Sequence, residues 1–399
     1  MSILLHKEKE HPTIDPKNIQ LLSKVRFISA LGFAFISTIW AVYVDSFFND
    51  ISKVGFFSGS LTLIAFLSYF LFIPIIERED KAKIYKIALL GAGISYIFLA
   101  ITSNFYLFIL LSGIIAIFGT LRVTSFGIML KDKSEKKSLS KNVGLTYVFA
   151  NMAWFIGPLA AGFILSKMGI KPIFLFGAGF LFLSLIFFRK SHITDNNHKE
   201  KIDKNPIKSF ITFFKNKNRV LAYIIGGGVD FWLTLIYLFM PLYIIRTNLG
   251  PAWIGYFLGA TVIPLVSLEY YFSKKAEIIG FKKIFQRGFL IMSVLTIACF
   301  FITNIYLIMI LLILANIGVA MVEPTTEAYF LDILKKKEAL RFYGPYNTTN
   351  TVNKLLSKTL PATLLLFLPF KFIFMIFGIS AFLIFLLCYK MQDVIEVKN

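Results

Sequence analysis

Twelve apolar runs, each near twenty residues, constrain this chain more than any other feature. They fall at Phe27–Phe47, Val54–Ile76, Ile84–Thr102, Tyr106–Leu130, Val143–Leu165, Pro172–Phe188, Val220–Ile245, Ala252–Phe272, Ile284–Ile302, Ile305–Leu331, Tyr346–Leu368 and Lys371–Tyr389. A run of ~20 apolar residues is what an α-helix needs to cross a ~30 Å hydrocarbon layer. Soluble domains are ~45–50% apolar and ~25% charged; here the figures are 57% and 16% over 399 residues. That surplus cannot be hidden in a water-soluble core. The sequence predicts an all-α integral membrane protein with lipid as its main partner.

The formal charge of +20 does not mark a nucleic-acid binder, because the basic residues are sorted by side. The odd connections, counted from the N-terminus with the helix ends that flank them, hold five Lys/Arg. The even connections and the two ends of the chain hold thirty-four, and Arg122, Lys354 and Lys358 lie inside helices. The positive-inside rule reads this asymmetry as cytoplasmic termini in a multi-pass cell-membrane protein. The segment before the first run is charged and that run is too long for a signal-peptide core, so no cleaved leader is expected.

Shifted by 200 residues, the chain matches itself without a gap. Gly55-Phe-Phe-Ser-Gly59 falls on Gly255-Tyr-Phe-Leu-Gly259, Glu77 on Glu277, Lys83 on Lys283, Asn104 and Tyr106 on Asn304 and Tyr306, Lys136-Lys137 on Lys336-Lys337, and Gly144 on Gly344. Six helices return a chain to its starting side, so the halves are parallel repeats. Such repeats place a substrate site between them near the membrane midplane. The predicted organisation is an N-terminal tail (1–26), a first six-helix bundle (27–188), a cytoplasmic linker (189–219), a second bundle (220–389) and a C-terminal tail (390–399). Asn196-Asn197 and Asn205-Pro206 break the linker, and Ile207–Phe214 reads as a short amphipathic helix lying on the surface.

Ionisable residues at membrane depth are costly and mark function by default. At ~1.5 Å per residue, Asp230, Glu323 and Lys354 converge near the midplane when counted from Arg219, Lys335 and Arg341. The expectation is a substrate and proton-coupling set of Asp230, Glu323, Lys354 and Arg122, with Glu327 and Lys358 one turn from two of them. Lys354 is expected to pair with one of the acids. Gly226-Gly227-Gly228 makes the helix pliable below Asp230, and Pro324 disturbs the helix at Glu323. Glu269, five residues from Lys274, reads as an interfacial anchor. Trp40, Tyr43, Trp154, Trp232 and Tyr237 suit either ligand stacking or packing.

Other chemistry finds no foothold. Cys299 and Cys388 both lie in apolar helices and read as packing residues, with no disulfide or metal framework. The four histidines stand at 6, 11, 192 and 198, in the tail and the linker, so no histidine relay crosses the membrane. No metalloprotease, nucleophile-elbow or Walker motif occurs. The expectation is no enzyme, no metal and no cofactor, with energy drawn from an ion gradient.

From Phe27 to Tyr389 the arrangement resembles the major facilitator superfamily. Two stretches carry the motif resemblance. Between helices 2 and 3, Glu77, Arg78, Asp80, Lys81 and Lys83 keep the acid, the arginine and the basic tail of the family loop, without its glycines. The second copy keeps Glu277, Gly280, Lys282 and Lys283. In helix 5, Gly144, Ala153, Gly157-Pro158, Ala161 and Gly162 follow the spacing of the antiporter branch. The resemblance implies that helices 7, 10 and 11 face a central cavity. It also implies a gating role for the loop residues and for the glycines of helix 5. The implied function is a monomeric secondary transporter moving a small molecule by alternating access, with proton-coupled export of a drug or metabolite foremost. Proton- or sodium-coupled uptake of a sugar or organic solute, and a non-transporting receptor or scaffold on the same fold, stay open.

Overall fold

The computed structural model describes residues 16–133, 139–190, 193, 206–247, 249–334 and 336–392. Within these, the chain forms α1 (Pro16–Phe48), α2 (Ile51–Arg78), α3 (Lys81–Ile101), α4 (Phe105–Asp132), α5 (Leu139–Met168), α6 (Lys171–Lys190), α7 (Pro206–Phe214), α8 (Lys217–Thr234), α9 (Met240–Arg246), α10 (Ala252–Ile279), α11 (Phe281–Phe301), α12 (Ile305–Val322), α13 (Thr326–Asp332), α14 (Lys336–Leu364) and α15 (Ile373–Cys388). Among the described residues, eleven helical spans are long and apolar enough to cross a membrane; one joins α8 to α9 and another joins α12 to α13. The twelfth crossing is α14. Its 29 residues give ~43 Å of helix, but Arg341, Asn347, Asn350, Asn353, Lys354 and Lys358 make it too polar for lipid. It is shielded instead, packed against α2 and α8.

The two halves repeat one packing scheme. In the first, α1 packs on α5 and α6, α3 on α4 and α6, and α2 on α4. In the second, α8 packs on α14 and α15, α11 on α12 and α15, and α10 on α12. The halves then meet along two equivalent seams, α5 against α10 and α2 against α14. The paired Gly-x-x-x-Gly motifs make both seams. A methyl on Gly55 would stand 2.6 Å from Ala362 Cβ, and one on Gly59 2.7 Å from Thr359. On the other seam, Gly255 lies against Gly162 and the Pro158 carbonyl, and Gly259 against Leu159. Without side chains at these points the helix backbones touch.

Several boundaries move from the sequence expectation. The first helix begins at Pro16, and Ile19, Leu22 and Val25 are buried at 4%, 0% and 1% exposure. Residues 16–26, expected in a tail, thus continue the helix with an apolar stripe at every third position. The amphipathic linker helix exists as α7. It lies on the second half rather than free on a surface: Phe213 is buried among Tyr223, Phe330 and Phe342. Arg219 donates to the Thr212 carbonyl at 2.9 Å, and Arg341 donates to Ser209 and Thr212.

Helix geometry breaks twice in the second half. Residues Leu235–Phe239 form a π-helical turn between α8 and α9. Glu323–Thr325 form a 3-10 turn between α12 and α13, where Pro324 can supply no backbone donor. Such irregular turns inside long helices are frequent at functional sites.

Candidate functional site

A ladder of polar contacts joins α8 to α14, and the charged pair sits in its middle. Tyr223 Oη and Thr348 Oγ1 lie 3.1 Å apart, and Thr349 donates to the Tyr223 carbonyl at 2.6 Å. Beyond them, Thr234 and Ser357 share a 2.6 Å hydrogen bond. Gly226 faces the Tyr346 ring and Gly227 faces Asn353 and Thr349, so the glycines let the two backbones close together. Between the rungs, Lys354 Nζ lies 2.9 Å from Asp230 Oδ1. The Asp230 side chain is 19% exposed and the Lys354 side chain 49%. The pair is therefore reachable on the lysine side.

Glu323 stands beside this pair. Its charge is felt together with those of Asp230, Lys354 and Glu269. The 3-10 turn that carries it packs on α10, the helix of Glu269. The Glu323 side chain is exposed. Among the described residues its carboxylate makes no hydrogen bond or ion pair. Tyr237, on the π turn, is in electrostatic range of Glu323. Across the midline, Trp154 of α5 meets Tyr237 edge-on at 5.6 Å.

The remaining candidates separate into other places. Glu327 accepts a 2.6 Å hydrogen bond from Tyr343 Oη. Lys358 reaches over the α2 seam, 2.8 Å from Thr62 Oγ1 and 3.4 Å from the Ser58 carbonyl; it ties the halves together. Arg122 belongs to the first half. Its guanidinium lies 3.9 Å over the Phe33 ring, and Tyr85, Tyr96 and Arg26 are its ionisable neighbours. Tyr43 is packed against Phe108 and Phe174, and Trp232 is buried with its ring nitrogen on Thr296; both are core. No group of three or more His, Cys, Asp or Glu able to hold a metal occurs among the described residues.

The sequence profile of the Major Facilitator Superfamily matches residues 23–276 and 266–399. The chain belongs to this superfamily.

Relatives within the superfamily are distant. An MFS-type transporter of Methanocaldococcus jannaschii is 25% identical over 66% of this chain and 69% of its own length. The staphylopine export protein of Staphylococcus aureus is 25% identical, over 62% of this chain and 64% of its own. The multidrug resistance protein MdtG of Proteus mirabilis is 23% identical, over 49% and 50%. Among solved structures, a POT family transporter in complex with 5-aminolevulinic acid superposes with a TM-score of 0.78 at 12% identity, covering 93% of this chain and 95% of that one. The nucleoside transporter NupG does so at 0.77 and 12%, covering 94% and 99%. These two likenesses establish the fold.

Sequence reasoning missed two charged residues that join the halves and read a third, Glu269, as an anchor. Asp45, at the end of α1, receives two hydrogen bonds from Arg246 of α9, at 2.8 and 3.1 Å. That bond closes the same end of the molecule as the Gly55 and Gly255 seams. Glu269 was misplaced by depth counting. Lys274 is not the end of its helix, because α10 continues to Ile279. Ten residues put Glu269 ~15 Å from that helix end, in electrostatic range of Glu323.

The family loop residues are partly described. Asp80 caps α3 by accepting from Ala82 N at 2.9 Å, and Lys81 is buried. Gly280, at φ 89°, makes the turn from α10 to α11, a backbone shape that favours glycine; Lys282 follows it, half-buried. The side chains of Glu77, Arg78 and Glu277 lie outside the described residues, as do 134–138, with Lys136-Lys137, and the linker stretch 194–205. In helix 5, Gly157 packs on Ala34, while Gly162 and Pro158 sit on the seam with α10. Gly144 lies near the start of α5.

Proposed function

We propose that this chain is a proton-coupled exporter that moves a small molecule by rocking its two halves about the Asp230–Lys354 and Glu323 level. The observation that carries the reading is the pairing at this level. Lys354 compensates Asp230 at 2.9 Å, which leaves Glu323 as the acid without a hydrogen-bonding or ionic partner among the described residues. A carboxylate accessible to water and able to take up and release a proton is what coupling requires. The likeness to a staphylopine exporter and to MdtG favours export.

The Lys/Arg asymmetry puts the α1–α2, α5–α6 and α9–α10 connections outside. On that orientation the Asp45–Arg246 end is the external gate, closed here. Alternating access then means releasing the two glycine seams and closing the opposite end.

The test is flux in proteoliposomes, using the strongest ligand from a thermal-shift screen of the purified protein. An imposed proton gradient should drive accumulation, and collapsing it with a protonophore should stop it. A gradient of sodium alone that drives the same flux, or a requirement for ATP, would overturn the proposal.

A further inference from the structure

The two halves carry opposite charge at membrane depth. In the first half, among the described residues, Arg122 has no carboxylate among its ionisable neighbours. Its Nε is buried without a hydrogen-bond partner, and the Phe33 ring at 3.9 Å is its main contact. A cation enclosed at this depth is costly when nothing neutralises it, and stacking on one ring offsets only part of that cost. In the second half the balance is reversed. Glu269 and Asp230 both act on Glu323, and among the described residues Lys354 is the one cation felt there. Since Lys354 holds Asp230, acid is in surplus.

The pseudo-symmetry puts these two groups level with each other. Helix α4 begins at Phe105 and α12 at Ile305, 200 residues apart in register. Arg122 falls on Val322, the residue next to Glu323. Each is therefore ~26 Å along an equivalent helix, one in each half. Trp154 and Tyr237, touching across the midline, supply an aromatic surface where the halves meet.

We infer that the substrate is a small zwitterion, with its acid group held by Arg122 and its amine by the Glu323–Glu269 acids. A guanidinium is suited to a planar carboxylate or a phosphonate, which it can bind through two parallel N–H groups. An ammonium takes the place of the missing cation opposite Glu323. A molecule carrying one charge would leave the other half unsatisfied, and that penalty is the basis of selectivity. A zwitterion also bridges the halves, so it rewards the closed arrangement of both. Because proton and ammonium contend for Glu323, uptake of a proton releases the amine, in keeping with exchange of one for the other. This inference rests on the transport reading for the location of the site, but binding tests it separately.

The experiment is a thermal-shift titration of the purified full chain with matched triples. Each triple is a free dipeptide or ω-amino acid, its N-acetylated anion and its amidated cation. The free zwitterion should stabilise the protein at concentrations roughly tenfold or more below those its singly charged partners need, the range for losing one charge-assisted contact. Arg122→Gln should reduce the zwitterion to the affinity of the amidated cation. Glu323→Gln, and Glu269→Gln as a second variant, should reduce it toward that of the acetylated anion. Size-exclusion profiles check that each variant is folded. If the amidated cation binds as well as the zwitterion, or Arg122→Gln leaves the ranking unchanged, the inference fails. If the ranking holds but no proton gradient drives flux, the coupling proposal fails and the substrate class stands.

Discussion

Asp45 and Arg246, 201 residues apart, close one end of the molecule with two hydrogen bonds of 2.8 and 3.1 Å between a carboxylate and a guanidinium. The Asp45 side chain is 16% exposed and that of Arg246 35%, so water screens the pair only in part. In the proposed cycle such a bond holds one state of the transporter and breaks in the other. Arg246→Ala should therefore raise the accessibility of this end to membrane-impermeant thiol reagents, read at a cysteine placed at Ser46. The charge-swapped pair, Asp45→Arg with Arg246→Asp, should restore protection. Equal labelling in all three proteins would remove the gate.

The glycine seams make a second prediction in the same direction. Any side chain on Gly255 meets the Pro158 carbonyl and Gly162. Backbone cannot move aside as a flexible side chain can. Gly255→Leu should hold the seam apart, favour the state in which this end is open, and slow transport several-fold or more without unfolding the protein. Distances between spin labels on α5 and α10, compared with the native chain, would lengthen at this end. Unchanged distances and flux would mean the seam tolerates the bulk and has no gating role.

For the Asp230–Lys354 pair, breaking one side is the informative change. Removing one partner of a buried pair costs ~3–5 kcal/mol, and the open side of Lys354 places it toward the lower figure. Lys354→Ala should lower thermal stability more than the double variant with Asp230→Asn. A coupling energy of about 1–3 kcal/mol is expected for groups in contact. The same cycle run with Glu323→Gln in place of Asp230→Asn should show weaker coupling. Strict additivity in both cycles would mean that neither acid is coupled to Lys354.

Much of this arrangement was legible before any coordinates, for a physical reason. Lipid tolerates few charges, so spacing from helix ends put Asp230 and Lys354 at one level, and the two lie 2.9 Å apart. Pro324 and the glycines at 226–228 announced irregular or closely packed backbone. What was hidden depends on packing between distant segments. Nothing local to Asp45 names Arg246 as its partner. Lys358 lies one turn from Lys354 yet reaches the other half, because a helix turns ~100° per residue and four residues return it to a slightly different face. Glu269 was hidden because a basic residue was taken for a helix end that lies five residues further on. The length of α14 was hidden because its first turns are too polar to read as membrane helix.

Topology rests on charge alone and has its own check. In a cysteine-free background, single cysteines at Asn196 and at Asn304 should be labelled from opposite sides of the membrane by impermeant maleimides. Asn304 caps α12 between two spans, whereas Asn196 belongs to the linker. Labelling of both from the same side would sink the twelve-helix reading.

The central claim is that Glu323 carries the coupling proton while Lys354 neutralises Asp230. Its most direct test is Glu323→Gln in proteoliposomes, followed in two modes with one ligand. The account predicts that accumulation driven by a proton gradient is lost, while exchange of labelled for unlabelled ligand at saturating concentration continues. Accumulation at the native rate in Glu323→Gln would contradict it and move the proton to another group.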